Sequence, residues 1–247
     1  MKITVIGATG QIGRQVIPLL TAAGHDVTGA SRQTGVDAAI GSGLDEALRD
    51  ADVVIDVLNS PTLEDDAALA FFTATSSNLT VAAKKAGVQH YVLLSIVGVD
   101  GLLGGGYLRG KVVQEKAVAA SGLPYTIVRA TQFHELTELI TGSLIVGAEV
   151  HAPDALIQPI ASAEVAVVLA RIATEPPADG VHDVGGPDKL TFAEMARIVL
   201  DHQGNDLPTV VDSAATYFGT PVTENSLVTD DDAERGSTRL SEWLGAR

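Results

Sequence analysis

The glycine-rich segment at residues 5–13, VIGATGQIG, restricts the fold more than any other part of the sequence. It follows an apolar run and opens a segment with helical periodicity. A turn of this kind lets the backbone approach a pyrophosphate closely and directs the free N–H groups of a helix N-terminus at the anion. The context therefore predicts a dinucleotide site. The residues expected to form it are Gly7, Thr9, Gly10, Gln11, Ile12 and Gly13.

Apolar strand patterns then alternate with helical patterns along the chain. The strand patterns are KITVIG, HDVTGASR, DVVIDVLN, HYVLLS and PYTIVRA. This alternation predicts an α/β fold with a doubly wound parallel sheet, the Rossmann fold, built with right-handed crossovers. We expect one domain over residues 1–247, because no linker is visible. A small substrate-side lobe should come mainly from residues 132–247.

Four further segments carry local predictions. A helix is expected to begin at the KVVQEK segment, after the glycine-rich loop at 98–106, and FHELTELITGSLIVG is expected to be helical. Thr191 and Glu194 have the spacing of a capping box, which predicts a helix start. The segment LSEWLGAR is predicted to be a terminal helix docked by Trp243.

Composition limits the kinds of partner. Sixteen basic and 31 acidic residues give a formal charge of −15, which disfavours nucleic acid and anionic membranes. The absence of cysteine fits a reducing compartment, and neither a signal segment nor a membrane span is visible, so a cytoplasmic location is expected. The histidine spacing predicts no metal site. We expect a small-molecule substrate and a monomer or homodimer.

The end of the second strand pattern indicates which dinucleotide binds. An acidic residue there would bind a ribose 2′-hydroxyl, whereas a basic one accepts a 2′-phosphate. The sequence has Ser31 and Arg32, which predicts NADP (NADPH) rather than NAD. Arg14 could add a second positive group or be an ordinary exposed helix residue. Asn59 and Ser60 follow the third strand pattern, where they could contact the cofactor or cap a loop.

The order of the glycine loop, GASR, LLSIVGVD, YLRGK and YTIVRATQF resembles that of the atypical short-chain dehydrogenase/reductase group, on its NmrA-like side. The resemblance covers nearly the whole chain. It implies an NAD(P)-binding protein, and members of the group include reductases, isomerases and regulators that bind NADP without catalysis. It specifies no substrate.

The resemblance also implies a catalytic triad of Ser95, Tyr107 and Lys111. The tyrosine phenol would exchange a proton with the substrate oxygen, which the serine would orient. The lysine would lower the tyrosine pKa and bind the nicotinamide ribose.

The segment after the PYTIVRA strand pattern offers candidate substrate contacts. Gln132, Phe133 and His134 could line a substrate pocket or could simply start a helix. The expected function is an NADP-dependent oxidoreductase acting on a small carbonyl, imine, enone or quinone-like molecule. A non-catalytic NADP-binding sensor and a cofactor-retaining isomerase or epimerase are the alternatives.

Overall fold

The computed structural model describes residues 1–102 and 104–247, and the chain in it forms two compact units. The first comprises Met1–Ser95, Gly105–Arg129 and Val165–His182, and the second comprises Ile96–Gly104, Ala130–Glu164 and Asp183–Arg247. The assignment of residues 132–247 to a substrate-side lobe stays a prediction.

The helices and strands alternate in the first half of the chain, as the sequence predicts. The strands are β1 (Lys2–Ile6), β2 (Asp26–Ala30), β3 (Val53–Asp56), β4 (His90–Ile96), β5 (Tyr125–Ala130), β6 (Ile145–Val146), β7 (Glu149–Ala152), β8 (Leu156–Ile157), β9 (Gly180–Gly185), β10 (Leu190–Thr191), β11 (Thr209–Val211) and β12 (Glu234–Arg235). The helices are α1 (Gly13–Ala22), α2 (Leu44–Ala47), α3 (Asp65–Ala86), α4 (Gly106–Ala119), α5 (Thr137–Ser143), α6 (Ser162–Ile172), α7 (Phe192–Gln203) and α8 (Leu240–Gly245).

The central sheet has seven strands in the order β12-β9-β5-β4-β3-β1-β2. The pairings of β1 with β2, β1 with β3 and β3 with β4 are all parallel. The predicted doubly wound Rossmann-like fold is therefore confirmed. Strand order reverses between β1 and β3, and in such sheets ligands bind in the crevice outside the carboxyl ends of the strands at this point.

Burial explains why these short segments become strands. All four residues of β3 are buried, as are the last four residues of β1. Strands covered on both faces are typical of a parallel sheet, where they need continuous rather than alternating apolar sequence. Leu48, Leu79 and Leu93 belong to one cluster of buried hydrophobic side chains in the first unit.

Helix α4 begins at Gly106, five residues earlier than the sequence pattern predicts. The Gly106 N–H donates to the Asp65 Oδ1 atom of α3 at 2.7 Å, so a carboxylate on a neighbouring helix satisfies one free N–H group of the first turn. A side chain at Gly106 would collide with the Asp65 backbone, and one at Gly110 would collide with the Phe72 ring. The glycines thus allow α3 and α4 to pack closely, and Tyr107 lies within the first turn of α4.

The second unit contains two small sheets, in the orders β10-β8 and β11-β7-β6. Its capping box is confirmed, since Thr191 Oγ1 accepts from the Glu194 N–H at 3.1 Å and Glu194 Oε2 accepts from the Thr191 N–H at 2.8 Å. The helix expected over residues 133–147 is present only up to Ser143, and the prediction is wrong for the end of the segment. A 3₁₀ turn at His134–Leu136 and helix α5 are followed by β6, which pairs antiparallel with β7.

The terminal helix α8 is present, and two leucines pack it in addition to the predicted Trp243. Leu240 and Leu244 are its buried side chains. Trp243 is half-buried and packs at a tilt of 56° against the His134 ring, with centroids 5.6 Å apart. Among the helices in the described residues, none is long and apolar enough to cross a membrane.

Candidate active site

The glycine loop connects β1 to α1 in the first unit and has little room for side chains. Gly7 has φ +92°, and a Cβ there would lie 2.9 Å from the Val57 carbonyl oxygen. A Cβ at Gly13 would lie 2.8 Å from the Ala8 Cα atom. The first glycine therefore makes the turn, and the third packs the helix start onto it.

The same loop presents backbone donors. The Gly10 N–H closes the turn by donating to the Gly7 carbonyl at 2.9 Å. The N–H groups of Thr9, Gln11 and Ile12 make no hydrogen bond within the described chain. Free donors at the start of α1 form a site suited to an anion. This loop fits a pyrophosphate.

Arg32 lies at the end of β2, where the sequence predicts a phosphate contact. It begins a 3₁₀ turn at Arg32–Thr34, its side chain is exposed, and it forms no ion pair with any described residue. The neighbouring Ser31 is buried, and its hydroxyl makes no hydrogen bond within the described chain. Arg14, in the first turn of α1, is also exposed and unpaired among the described residues.

Asn59 and Ser60 follow β3 and have different surroundings. Asn59 is exposed, and its Oδ1 atom accepts a hydrogen bond from the Tyr107 hydroxyl at 2.8 Å. Ser60 is buried, and its Oγ atom accepts from the Thr62 N–H at 3.3 Å, as expected for a loop cap. The structure therefore brings the candidate Tyr107 to the loop that follows β3.

The pKa of the Tyr107 phenol does not move in the predicted direction. Burial raises this pKa to about 12, whereas the sequence analysis expects the neighbouring lysine to lower it. The Phe72 ring contacts both members of the candidate pair. It packs edge-on against Tyr107 with ring centroids 5.5 Å apart, and the Lys111 ammonium lies over the same ring at 5.2 Å.

Lys111 is 4% exposed and is held by two acceptors. Its ammonium donates to the Leu94 carbonyl of β4 at 2.7 Å and to the Gln114 Oε1 atom one helical turn further on. Burial lowers the pKa of Lys111 to about 8, although the negative charges of Asp56 and Glu115 offset part of that effect. An ammonium has three N–H donors, so two acceptors leave one donor for a ligand.

A buried carboxylate that the sequence analysis missed lies beyond Gln114. Asp56, the last residue of β3, is fully buried. Its Oδ2 atom accepts from the Tyr91 hydroxyl at 2.9 Å and from Gln114 Nε2 at 3.0 Å. Its Oδ1 atom accepts from the Leu58 N–H at 3.0 Å. Burial raises the pKa of Asp56, and the Leu58 N–H and the Lys111 charge act against that rise.

A partial signal for this network exists in the sequence. Asp56 is a charged residue at the end of a buried apolar run, and Gln114 lies three positions after Lys111 on the same helix face. Nothing in the sequence shows that Tyr91, on another strand, meets them.

Ser95 lies at the carboxyl end of β4 and is 3% exposed. Its hydroxyl makes no hydrogen bond within the described chain. A buried hydroxyl without a partner costs free energy, so such a group usually has a function or a missing partner. This environment fits a serine that binds a substrate oxygen.

The three candidate substrate residues belong to the second unit and differ in their surroundings. Gln132 is 5% exposed, and neither polar atom of its amide has a hydrogen-bond partner in the described chain. Phe133 is half-buried and forms an isolated parallel bridge with Ile160. His134 is completely buried, and its Nε2 atom lies 3.0 Å from the Pro159 carbonyl oxygen. Its position at the start of a 3₁₀ turn favours the structural alternative for His134.

The residues fit NAD(P)H. The crowded glycine turn, the free N–H groups after it and the unpaired Arg32 all follow parallel strands whose carboxyl ends share one edge of the sheet. No group of three or more histidine, aspartate or glutamate side chains arranged to hold a metal occurs in residues 1–102 and 104–247.

Comparison with known proteins defines the class as an NAD(P)-dependent oxidoreductase. The chain is 33% identical over 212 residues, 78% of its length and 71% of the relative's, to a (4-alkanoyl-5-oxo-2,5-dihydrofuran-3-yl)methyl phosphate reductase of Streptomyces griseus subsp. griseus. The model of the NAD(P)H-binding family matches residues 34–176. The chain belongs to this NAD(P)H-binding family, and the resemblance to short-chain dehydrogenase/reductase proteins is confirmed.

Solved structures share the fold over nearly the full length. An NADPH-dependent quinone oxidoreductase of Escherichia coli, complexed with NADPH, has a TM-score of 0.75 at 20% identity, covering 99% of both chains. A UDP-glucose 4-epimerase of Thermotoga maritima has a TM-score of 0.73 at 16% identity, covering 99% of this chain and 96% of the other. At these identities the likeness shows the fold alone.

Proposed function

We propose that the protein is an NADPH-dependent reductase of small molecules with a carbonyl, imine, enone or quinone-like group, and that a carbonyl-conjugated ring is the favoured substrate class. The observation that carries the proposal is the hydrogen bond from the Tyr107 hydroxyl to Asn59 at 2.8 Å. It holds a phenol beside the loop that follows β3, at the crevice where the glycine loop leads into α1.

The relative from Streptomyces griseus supports the substrate class. Its name describes a reductase whose substrate has an oxo group on a dihydrofuran ring that also carries an alkanoyl group. Both groups are carbonyls, as in the substrates proposed for this chain.

In the proposed reaction, bound NADPH supplies a hydride to the substrate. The phenolic proton of Tyr107, which Asn59 accepts in the free protein, turns to the substrate oxygen that gains charge and is donated to it. Ser95 holds that oxygen with its free hydroxyl. Because burial raises the pKa of Tyr107 to about 12, the phenol keeps its proton at neutral pH and can serve as the donor. Lys111 contributes a positive charge and an N–H donor for the nicotinamide ribose.

The preference for NADPH rests on Arg32. Most arginines of this acidic chain lie beside carboxylates, for example Arg49 beside Glu46 and Arg129 beside Glu115. Arg32 has no such neighbour among the described residues, so its guanidinium is available for a 2′-phosphate. Loss of a hydrogen bond between charged groups costs about 1.5–3 kcal/mol, which corresponds to roughly a tenfold to hundredfold loss of affinity.

Cofactor titrations test this preference. Arg32→Ala should weaken NADPH binding at least about tenfold and leave NADH binding unchanged. Arg49→Ala removes an exposed arginine that is already paired, and it should change neither affinity. If Arg32→Ala has the same ratio of NADPH affinity to NADH affinity as the wild type, Arg32 does not bind the 2′-phosphate.

Turnover tests the reaction. The purified protein is mixed with NADPH and a panel of cyclic enones, quinones, aldehydes and ketones, and the nicotinamide absorbance is followed. Tyr107→Phe should lower kcat by about 10²–10⁴-fold without changing NADPH affinity. If the protein binds NADPH tightly but oxidises it with none of these substrates, the proposed reductase is refuted and the non-catalytic NADP-binding sensor is supported. Substrate conversion without net consumption of NADPH would indicate an isomerase or epimerase.

A further inference from the structure

The buried network beneath α4 links Lys111 to a carboxylate through a neutral amide. The Gln114 carbonyl oxygen accepts from the Lys111 ammonium, and the amide nitrogen of the same side chain donates to Asp56 at 3.0 Å. The amide can face only one way, because an ammonium is purely a donor and a carboxylate is purely an acceptor. The order of the three side chains therefore fixes the orientation of Gln114.

Hydrogen-bond donors and the Lys111 charge favour the ionised form of Asp56, and they act against burial, which raises its pKa. Three donors face its two oxygens, namely the Tyr91 hydroxyl, the Gln114 amide nitrogen and the Leu58 N–H. Asp56 has no ion pair among the described residues, although it is completely buried. A buried carboxylate needs a compensating cation, and Lys111 supplies one through the amide.

The other charged and titratable groups near Lys111 leave Asp56 as its main counter-charge. Glu115 on α4 is bound by Arg129 of β5 through two hydrogen bonds, at 2.9 and 2.7 Å, so its charge is already balanced. Tyr91 on β4 is neutral, because burial raises its pKa well above the ordinary value. Helix α3 contributes the Phe72 ring, which has no charge.

We propose that Asp56 and Gln114 are positioning residues that hold the Lys111 ammonium against the Leu94 carbonyl and keep it charged for cofactor binding. Asp56 supplies the negative charge, and Gln114 transmits it while fixing the direction of the lysine side chain. The role of the charged lysine at the cofactor rests on the proposed function, whereas the network itself does not.

Titration of Lys111 tests the network without any assay of activity. The protein is prepared with carbon-13 at the lysine Cε positions, and the Lys111 signal among the six lysines is assigned with Lys111→Arg. In Asp56→Asn the pKa of Lys111 should fall by about one pH unit or more, because an opposite charge is lost. Tyr91→Phe removes a donor from the same carboxylate but keeps its charge, so the Lys111 titration should move much less.

A second variant protects the test against loss of folding. Gln114→Met keeps the size of the side chain but breaks the link, and it should also lower the pKa of Lys111. An unchanged Lys111 titration in both Asp56→Asn and Gln114→Met would overturn the inference. Equal shifts in Tyr91→Phe and Asp56→Asn would also overturn it, since the effect would then be a general disturbance of the core.

The role of the charged Lys111 in cofactor binding is tested by a separate measurement. In Asp56→Asn the alkaline limb of kcat/KM for NADPH should move to lower pH, while kcat/KM at pH about 6.5 stays within a few-fold of the wild-type value. If the Lys111 titration shifts but the protein oxidises no NADPH, the network stands and the proposed reaction fails. If activity is present and its pH profile does not move, the positioning role fails.

Discussion

The buried Lys111 predicts that the protein becomes more stable as the pH rises above neutrality. The pKa of this ammonium is about 8 in the folded chain, against an ordinary value of 10.5. Between these values the unfolded chain binds the proton more strongly, so the free energy of unfolding increases with pH. At about 1.4 kcal/mol per pH unit, the whole interval is worth ~3 kcal/mol, with on the order of 2 kcal/mol of it between pH 7 and 10.

Urea unfolding at pH 7, 8, 9 and 10 checks this prediction with Lys111→Met as the perturbation. The variant loses the titrating group. The free energy of unfolding of the wild type minus that of the variant should therefore increase by on the order of 2 kcal/mol from pH 7 to pH 10. Tyrosine ionisation affects both proteins and cancels in the difference. Lys116→Met changes an exposed lysine on the same helix. Its free energy of unfolding should differ from that of the wild type by the same amount at every pH. A constant difference for Lys111→Met as well would refute the reasoning.

Two further predictions concern the loop and the capping box. Gly13→Ala should abolish NADPH binding, because its Cβ would collide with backbone atoms of the glycine loop, whereas Gly142→Ala has open space and should bind normally in the same titration. Retained affinity in Gly13→Ala would contradict the close packing of the loop. Thr191→Ala should cost about 1 kcal/mol in thermal or urea unfolding, because a capping hydrogen bond is lost, and should leave NADPH affinity intact. A loss of affinity without a loss of stability would contradict its purely structural role.

The fold was predictable because strong local patterns determine it. A buried apolar run such as β3 needs no distant information to be recognised, and the glycines after β1 identify the turn into α1. Where short-range patterns compete, the prediction failed. The segment at residues 133–147 has helical periodicity, yet Ile145 and Val146 leave the helix to pair with β7, a contact that no local pattern shows.

The positions of the candidate residues on their strands and helices could be predicted from the sequence, whereas their electrostatic surroundings could not. Sequence spacing places Tyr107 and Lys111 one turn apart on α4, as observed. It does not show that the Phe72 ring, from a different helix, packs against both side chains. Nor does it show that Lys111 is directed towards Gln114 and the Leu94 carbonyl. Burial raises the pKa of Tyr107, whereas the lysine role implied by the family resemblance would lower it.

The close packing of α3 against α4 has a consequence for how the enzyme can be changed by mutation. Asp65 supports the first turn of α4, and Phe72 touches both Tyr107 and Lys111. If Tyr107 and Lys111 act as proposed, we expect substitutions along this face of α3 to alter turnover even though α3 itself carries no candidate catalytic residue. A library built only from residues near the substrate would overlook them. In this protein, the evolvable part of the site includes the helix behind it.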